Sequence, residues 1–143
     1  MAGIAGAVAT LGFAPFGWWP LTLLAAIGLM LLIERIGTAA TWIVVFGFSL
    51  AHFTSGIYWV FYSTVYYGHA PPALGAVLVC LLGAVLAVFP TTLLWLARWT
   101  CSPQRLRWPL MVLACWLLSE LLRGTVLKGL PWLSTGYAFI DTP

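Results

Sequence analysis

Charged residues are scarce in this sequence: of 143 residues, six are Lys or Arg and three are Asp or Glu, 6% in all. A soluble domain carries about a quarter charged residues, so a soluble globular fold is excluded. The net charge of +3 is also too small for a nucleic-acid-binding surface. Hydrophobic residues instead make up 63% of the chain, and the mean hydropathy is +1.05. We therefore predict an all-α integral membrane protein.

Cysteines are few, and their spacing fits neither a metal site nor a disulfide framework. Cys80, Cys101 and Cys115 lie in or beside apolar segments, where free thiols are commonly buried. A nucleophile needs a base within reach. None of the three cysteines has a Lys, His or Glu that is both close to it in the sequence and on the outward-facing side of the membrane. Phosphate-binding loops, zinc spacings and Ser–His–Asp candidates are also absent from the sequence. We therefore predict no catalytic residue, no metal site and no cofactor within this chain.

Apolar runs separated by turn residues predict about five transmembrane helices in a single domain, 1–143. The first run, Gly3 to Ala14, covers only ~18 Å at ~1.5 Å per residue, less than the ~30 Å hydrocarbon core, so we expect a short or truncated span. Pro90 lies inside the fourth span and predicts a kink there. The predicted spans are 2–14, 21–33, 38–63, 73–97 and 108–123, followed by an outer interfacial loop at 124–143.

The positive charges of the short loops predict the orientation in the membrane. The loops after the second and fourth spans contain four arginines, Arg35, Arg98, Arg105 and Arg107. The loops after the first and third spans contain none. Lys and Arg concentrate on the cytoplasmic side of membrane proteins. We therefore expect a cytoplasmic N-terminus and an outward-facing segment 123–143, in which Arg123 and Lys128 are exceptions to the rule.

The third predicted span carries two features of interest. Gly47, Ala51 and Ser55 recur every four residues and predict a surface on which a neighbouring helix packs closely. His52 lies near the middle of the span. A proton relay is one interpretation, but no acidic partner is predicted beside it, and a hydrogen bond to a neighbouring helix is the stronger one.

The stretch from Leu117 to Tyr137 concentrates charges and turn residues among apolar ones. Glu120 and Arg123 are three residues apart and therefore share a helix face near the outer end of the fifth span. One interpretation is an ion pair, which lowers the cost of each charge near the bilayer. The other is a polar cavity for a lipid headgroup, and the two interpretations can coexist.

A turn follows this helix, in the residues 129–137. Gly129 and Gly136 allow backbone angles closed to other residues, and Pro131 fixes one φ angle. Trp132 and Tyr137 supply amphipathic rings that prefer headgroup depth. The turn is either an ordinary interfacial loop or a shaped loop at the mouth of a lipid-accessible cleft.

Three blocks of sequence give the chain a specific resemblance. They read LGFAPFGWWP, then GFSLAHFTSGIYWVFYS followed by YYGHAPPAL, and finally WLLSELLRGTVLKGLPWLSTGYAFIDTP. From about Leu11 to Pro143 the chain resembles the N-terminal membrane region of the bacterial apolipoprotein N-acyltransferase. The resemblance implies an inner-membrane enzyme that takes an acyl chain from a phospholipid donor, holds it as a thioester, and passes it to the N-terminal diacylglyceryl-cysteine of an apolipoprotein acceptor.

The resemblance also limits what this chain is expected to do. Family members use a Glu-Lys-Cys triad in a nitrilase-like α/β domain on the periplasmic side, and that domain is absent from this sequence. The chain alone is therefore expected to be inactive, and its cysteines do not match the acylated one. Trp132 matches the tryptophan of the family's FPW step and is the foremost substrate-cleft candidate, while Leu130 stands where many members have Phe. The weaker candidates are Pro131, Arg123, Glu120 and Tyr137.

Two other functions remain open at this point. A small transporter with Glu120 and His52 in its path is one, although transporters commonly show paired halves and broken helices that meet at the midplane, and the sequence indicates neither. A non-catalytic membrane subunit is the other, and it predicts that the turn from Gly129 to Tyr137 tolerates substitution freely.

Overall fold

The computed structural model describes residues 1–100, 107–126 and 132–140, which form helices and turns without any strand. The α-helices are α1 (Ala2–Ala9), α2 (Trp19–Arg35), α3 (Thr38–Gly56), α4 (Trp59–Tyr62), α5 (Pro72–Thr100) and α6 (Arg107–Val126). Two short 3-10 helices, Thr10–Gly12 and Thr135–Phe139, and a π-helix, Ser63–Tyr67, join or follow them. The prediction of an all-α fold is confirmed.

Three of these helices, α3, α5 and α6, are long and apolar enough to cross a membrane. The most apolar is α5, with 29 residues and a mean hydropathy of 2.5 over its best window. Shorter helices stand beside them: α2 has 17 residues, and α1 with its 3-10 extension forms one apolar segment, Ala2–Gly12. The chain is a helical membrane protein, as its composition predicts.

The exposed face of α6 is formed by leucines rather than by charged residues. Leu110, Leu113, Leu117 and Leu121 recur at three- or four-residue spacing, so they share one side of the helix, and each is more than half exposed. In water such a leucine stripe would be unfavourable, because apolar surface is driven out of water. Lipid tails are as apolar as leucine, so this stripe is suited to an apolar membrane environment.

The small-residue stripe of α3 receives α1. A Cβ atom placed on Gly3 would lie 3.7 Å from the Gly47 carbonyl oxygen and 3.8 Å from the Ala51 Cβ, so the two backbones run close together. Further along, the hydroxyl oxygens of Ser55 and Thr10 are 3.2 Å apart. The predicted packing surface at Gly47, Ala51 and Ser55 is therefore confirmed, and α1 is the helix that occupies it.

Two other glycines hold α3 between its neighbours. A Cβ on Gly6 of α1 would overlap the Phe48 carbonyl oxygen, and one on Gly83 of α5 would overlap the side chain of Thr54. Van der Waals contact grows as backbones approach, and this contact replaces the hydrophobic effect as the force that associates helices in lipid. The helix α3 is thus the centre of the bundle, with α1 and α5 packed against it.

The third predicted span, 38–63, is interrupted near Gly56 in the structure. The helix α3 ends at Gly56, and Ile57 caps it with non-helical backbone angles before α4 begins. Glycine is a poor helix former, and the side chain of Leu133 fills the space that a Cβ on Gly56 would need. A residue from the far end of the chain thus packs against the point where α3 stops.

Helices α2 and α5 run in one direction and α3 and α6 in the other, so the bundle has two distinct ends. At one end Arg98 Nη2 donates to the Ile36 carbonyl at 3.1 Å, which ties the last turns of α5 to the α2–α3 connection. At the opposite end, residues 132–140 lie near the start of α2, where the rings of Trp19 and Phe139 are 6.1 Å apart. Which end faces the cytoplasm stays a prediction.

Candidate functional site

A closed set of hydrogen bonds joins α6 to the 3-10 helix that follows it. Trp116 Nε1 donates to Glu120 Oε1 at 3.0 Å and to Thr135 Oγ1 at 2.9 Å. The backbone N–H and the hydroxyl of Thr135 donate to the same Oε1, at 2.8 and 2.6 Å. One carboxylate oxygen therefore accepts three donors. Hydrogen bonds to an ionised acceptor are roughly twice as strong as neutral ones, so Glu120 fastens the segment 132–140 onto α6.

Arg123 lies one turn further along α6 than Glu120, where its side chain is buried. Its side chain is only 1% exposed, and within the described part of the chain none of its three guanidinium nitrogens has a hydrogen-bond partner. The guanidinium carbon instead lies 4.7 Å from the centre of the Phe53 ring, a cation–π contact worth about 2 kcal/mol when it is desolvated. The Oε1 atom of Glu120 is engaged by Thr135, and the ion-pair interpretation of Glu120 and Arg123 stays a prediction.

Trp132 is held at the same end of the bundle by an aromatic contact. Its indole meets that of Trp59 edge to face, with ring centroids 4.7 Å apart and an interplanar angle of 89°. Trp132 remains 43% exposed and Tyr137 remains 55% exposed. An edge-to-face pair contributes about 0.5–1.5 kcal/mol beyond the area it buries. Both rings therefore face outward from a segment that is anchored behind them.

His52 is enclosed in the centre of the bundle. Four aromatic rings surround the imidazole, with centroids between 5.3 and 6.4 Å away: Phe13, Phe48, Phe53 and Trp116. Among the described residues, the Nδ1 atom of the imidazole has no hydrogen-bond partner. The interpretation of His52 as a hydrogen-bonding link between helices stays a prediction, because the imidazole contacts its neighbours here through ring packing.

A cavity of about 200 Å³ lies between α2 and α6, with α3 behind it. We call it the α2–α6 cleft. Its lining includes apolar side chains of α2 and α6, together with Phe48 and His52 of α3. Trp116 and Thr135 contribute to the wall, so the cleft adjoins the hydrogen bonds around Glu120.

The structure brings some of the predicted site residues together and leaves others apart. Glu120, Trp132 and Tyr137 belong to one end of the bundle, whereas Arg123 is buried against Phe53. Pro131 lies outside the described residues, as do Gly129, Leu130 and Lys128. The described residues contain no group of three His, Cys, Asp or Glu side chains that could hold a metal ion.

The partners of these residues were not identified from the sequence. Trp116 precedes Glu120 by four positions, a spacing that places two side chains on one helix face, so this contact was open to prediction. Thr135 and Trp59 carried no such signal, because each reaches its partner through the fold. Of the cysteines in the described ranges, Cys80 is exposed and Cys115 is half-buried; Cys101 lies outside them.

Comparison with known proteins gives a consistent result. Residues 5–143 match the family model described as the apolipoprotein N-acyltransferase N-terminal domain. The apolipoprotein N-acyltransferase of Ralstonia nicotianae is 38% identical over 148 residues, which cover 100% of this chain and 28% of that protein. Those of Vibrio cholerae and Nitrosomonas europaea are 34% and 37% identical, over 99% and 96% of this chain and 28% of each relative. The chain therefore spans little more than a quarter of these curated relatives.

Proposed function

This chain belongs to the apolipoprotein N-acyltransferase N-terminal domain family, and we propose that it is the membrane part of such an enzyme. In this proposal the complete protein transfers a fatty acyl chain from a phospholipid to the N-terminal diacylglyceryl-cysteine of an apolipoprotein. The present chain embeds the enzyme in the bacterial inner membrane and shapes the approach of its lipid substrates. Its N-terminus is cytoplasmic, and the segment 132–140 lies on the periplasmic side.

The observation that carries this proposal is the anchored segment 132–140. It is fixed to α6 through Glu120 and to α4 through Trp59, and it presents Trp132 and Tyr137 outward. Trp and Tyr prefer the membrane–water interface, because each combines an apolar ring with a polar tip. A rigid aromatic surface at that depth suits an amphiphilic substrate, whose chain lies in the bilayer and whose reacting group lies at its surface.

The other candidates support this surface rather than form it. Glu120 directs its carboxylate at Thr135, and Arg123 is buried against Phe53, so both act as positioning residues. Trp132 and Tyr137 are left as the residues that contact substrate. Pro131 precedes Trp132 in the sequence, and we propose that it restricts the backbone there.

The chemistry itself belongs to the part of the family protein that this chain does not include. Cys80 lies on the exposed face of α5, and Cys115 is half-buried on α6. We propose that neither serves as the acylated nucleophile and that the chain alone does not transfer acyl groups.

A small transporter is less well supported. Such a path would need Glu120 and His52 free to bind a passing solute or proton. Glu120 Oε1 already accepts three hydrogen bonds, and four rings enclose His52.

The test is replacement of the tryptophan that corresponds to Trp132 by alanine in a full-length relative. Acyl transfer to an apolipoprotein is expected to fall, while the amount of enzyme in the membrane stays the same, because the anchoring hydrogen bonds of Glu120 remain. Alanine at the position of Trp99, an exposed tryptophan at the opposite end of the bundle, is the control and leaves transfer unchanged. Normal transfer by the Trp132 variant would refute the proposal.

A further inference from the structure

The α2–α6 cleft has a buried floor and an open mouth. Ala9, Phe48 and His52 line it and are each almost completely buried, whereas Leu23, Ile27 and Leu113 line it and are exposed. Ile27 lies at the middle of α2, and α6 is long and apolar enough to cross the membrane. The mouth therefore opens on the side of the bundle, between the middle of α2 and a helix long and apolar enough to cross the membrane.

The polar groups on the wall of the cleft are already engaged within the protein. Thr22 Oγ1 donates to the Ala9 carbonyl at 2.8 Å, and Trp116 Nε1 and the Thr135 hydroxyl donate to Glu120. The imidazole of His52 is enclosed by four aromatic rings.

Among the polar side-chain atoms of these wall residues, His52 Nδ1 is left without a partner. A buried water needs about two to four polar partners, so one atom does not hold water in the cleft. A lipid headgroup or a peptide backbone would lose still more hydrogen bonds there. The chemistry of the wall thus selects an apolar occupant.

We propose that the α2–α6 cleft binds one hydrocarbon chain of a bilayer lipid, which enters sideways between Leu23 and Ile27 of α2 and Leu113 of α6. The cleft is large enough, because an apolar cavity of about 150 Å³ holds a benzene molecule and this one has about 200 Å³. It is too small for a helix with side chains, which is roughly 10 Å across. Filling it restores the dispersion contacts that the lining of a void lacks. The inference does not depend on the proposed acyltransferase function.

The experiment uses the 143-residue chain in nanodiscs of phosphatidylcholine that carries a diazirine in one acyl chain. After irradiation, mass spectrometry of peptides is expected to find adducts on the floor residues Ala9 and Phe48, as well as on lipid-facing residues such as Leu121. Ala26 lines the cleft and is exposed, and Ala26→Phe is expected to lower the floor adducts several-fold. Ala114→Phe is the matched control, because Ala114 is exposed on α6 but does not line the cleft. This variant is expected to leave the floor adducts unchanged.

Several results would overturn the proposal. Floor residues that stay unlabelled while Leu121 is labelled would show that no chain enters, and equal floor labelling in both variants would show that entry does not pass through the mouth. If Ala26→Phe loses its helical circular dichroism, Ala26→Leu provides the same comparison with a smaller side chain. The labelling is repeated in the full-length Ralstonia relative, where loss of the floor adducts would assign the cleft to another part of the polypeptide. The labelling experiment does not measure acyl transfer. A negative labelling result would therefore overturn the cleft proposal without bearing on the proposed acyltransferase function.

Discussion

Glu120 and Thr135 are fifteen residues apart in the sequence, and two hydrogen bonds of 2.6 and 2.8 Å join them at one carboxylate oxygen. The contact closes the chain back onto α6 after the described helix ends at Val126. It also fixes the position from which Trp132 reaches Trp59. In our functional proposal, the aromatic surface therefore depends on Glu120 as a positioning residue.

Glu120→Ala should release the segment 132–140 from α6. The variant removes an acceptor of three hydrogen bonds, and a hydrogen bond to a charged group contributes about 1.5–3 kcal/mol. Since about 1.4 kcal/mol corresponds to a factor of ten, exchange of the Thr135 amide hydrogen should be at least roughly tenfold faster by mass spectrometry. Glu34→Ala, at the exposed end of α2, is the control. Unchanged exchange at Thr135 would contradict the anchoring role.

Arg123→Met should leave stability unchanged or raise it. Among the described residues the buried guanidinium has no hydrogen-bond partner. The desolvation cost of a buried ion, roughly several kcal/mol, therefore offsets or exceeds the cation–π contact with Phe53, which contributes about 2 kcal/mol. Arg98→Met, by contrast, should destabilise the bundle, because Arg98 donates to the Ile36 carbonyl. Thermal unfolding of both variants in the same detergent measures the difference. A large loss of stability in Arg123→Met would show that Arg123 has a partner we have not identified.

Gly6→Ala should weaken the packing of α1 on α3. Its new Cβ would overlap the Phe48 carbonyl oxygen, and overpacking of this kind costs about 1–3 kcal/mol. Gly28→Ala is the matched control, since nothing lies within 4 Å of a Cβ placed there. That change should stabilise α2 by about 0.5–1 kcal/mol, because alanine is the better helix former. Unfolding in a series of denaturing detergent mixtures compares the two, and equal stabilities would count against the close approach of α1.

The isolated chain should form no stable acyl-thioester when it is incubated with phospholipid. Cys80, Cys101 and Cys115 lie on or beside membrane helices, and none of them has a base close in the sequence on the outward side, which a thiol nucleophile requires. Mass spectrometry before and after hydroxylamine treatment detects such an adduct, and a full-length relative serves as the positive control. An adduct on any of the three cysteines would contradict the prediction that the chain is inactive alone.

Much of the architecture was predictable because local spacing determines it. The lack of charge excludes a soluble fold, and the four-residue recurrence of Gly47, Ala51 and Ser55 marks a close helix contact whatever the partner. The division of the third span at Gly56 was not predictable in the same way. A glycine within an apolar run is compatible with a continuous helix, and Leu133, which packs against it, lies far away in the sequence.

The sequence by itself determined the membrane class, the packing surface on α3 and the set of residues from which a site could be built. Only the tertiary structure decided that Glu120 binds Thr135, that Arg123 lies against Phe53, and that a cleft opens between α2 and α6. The physical reason is that the helical repeat relates only residues within the same helix. Positions three or four apart share a face, but the residue opposite that face is set by how separate helices pack, and this depends on the whole chain.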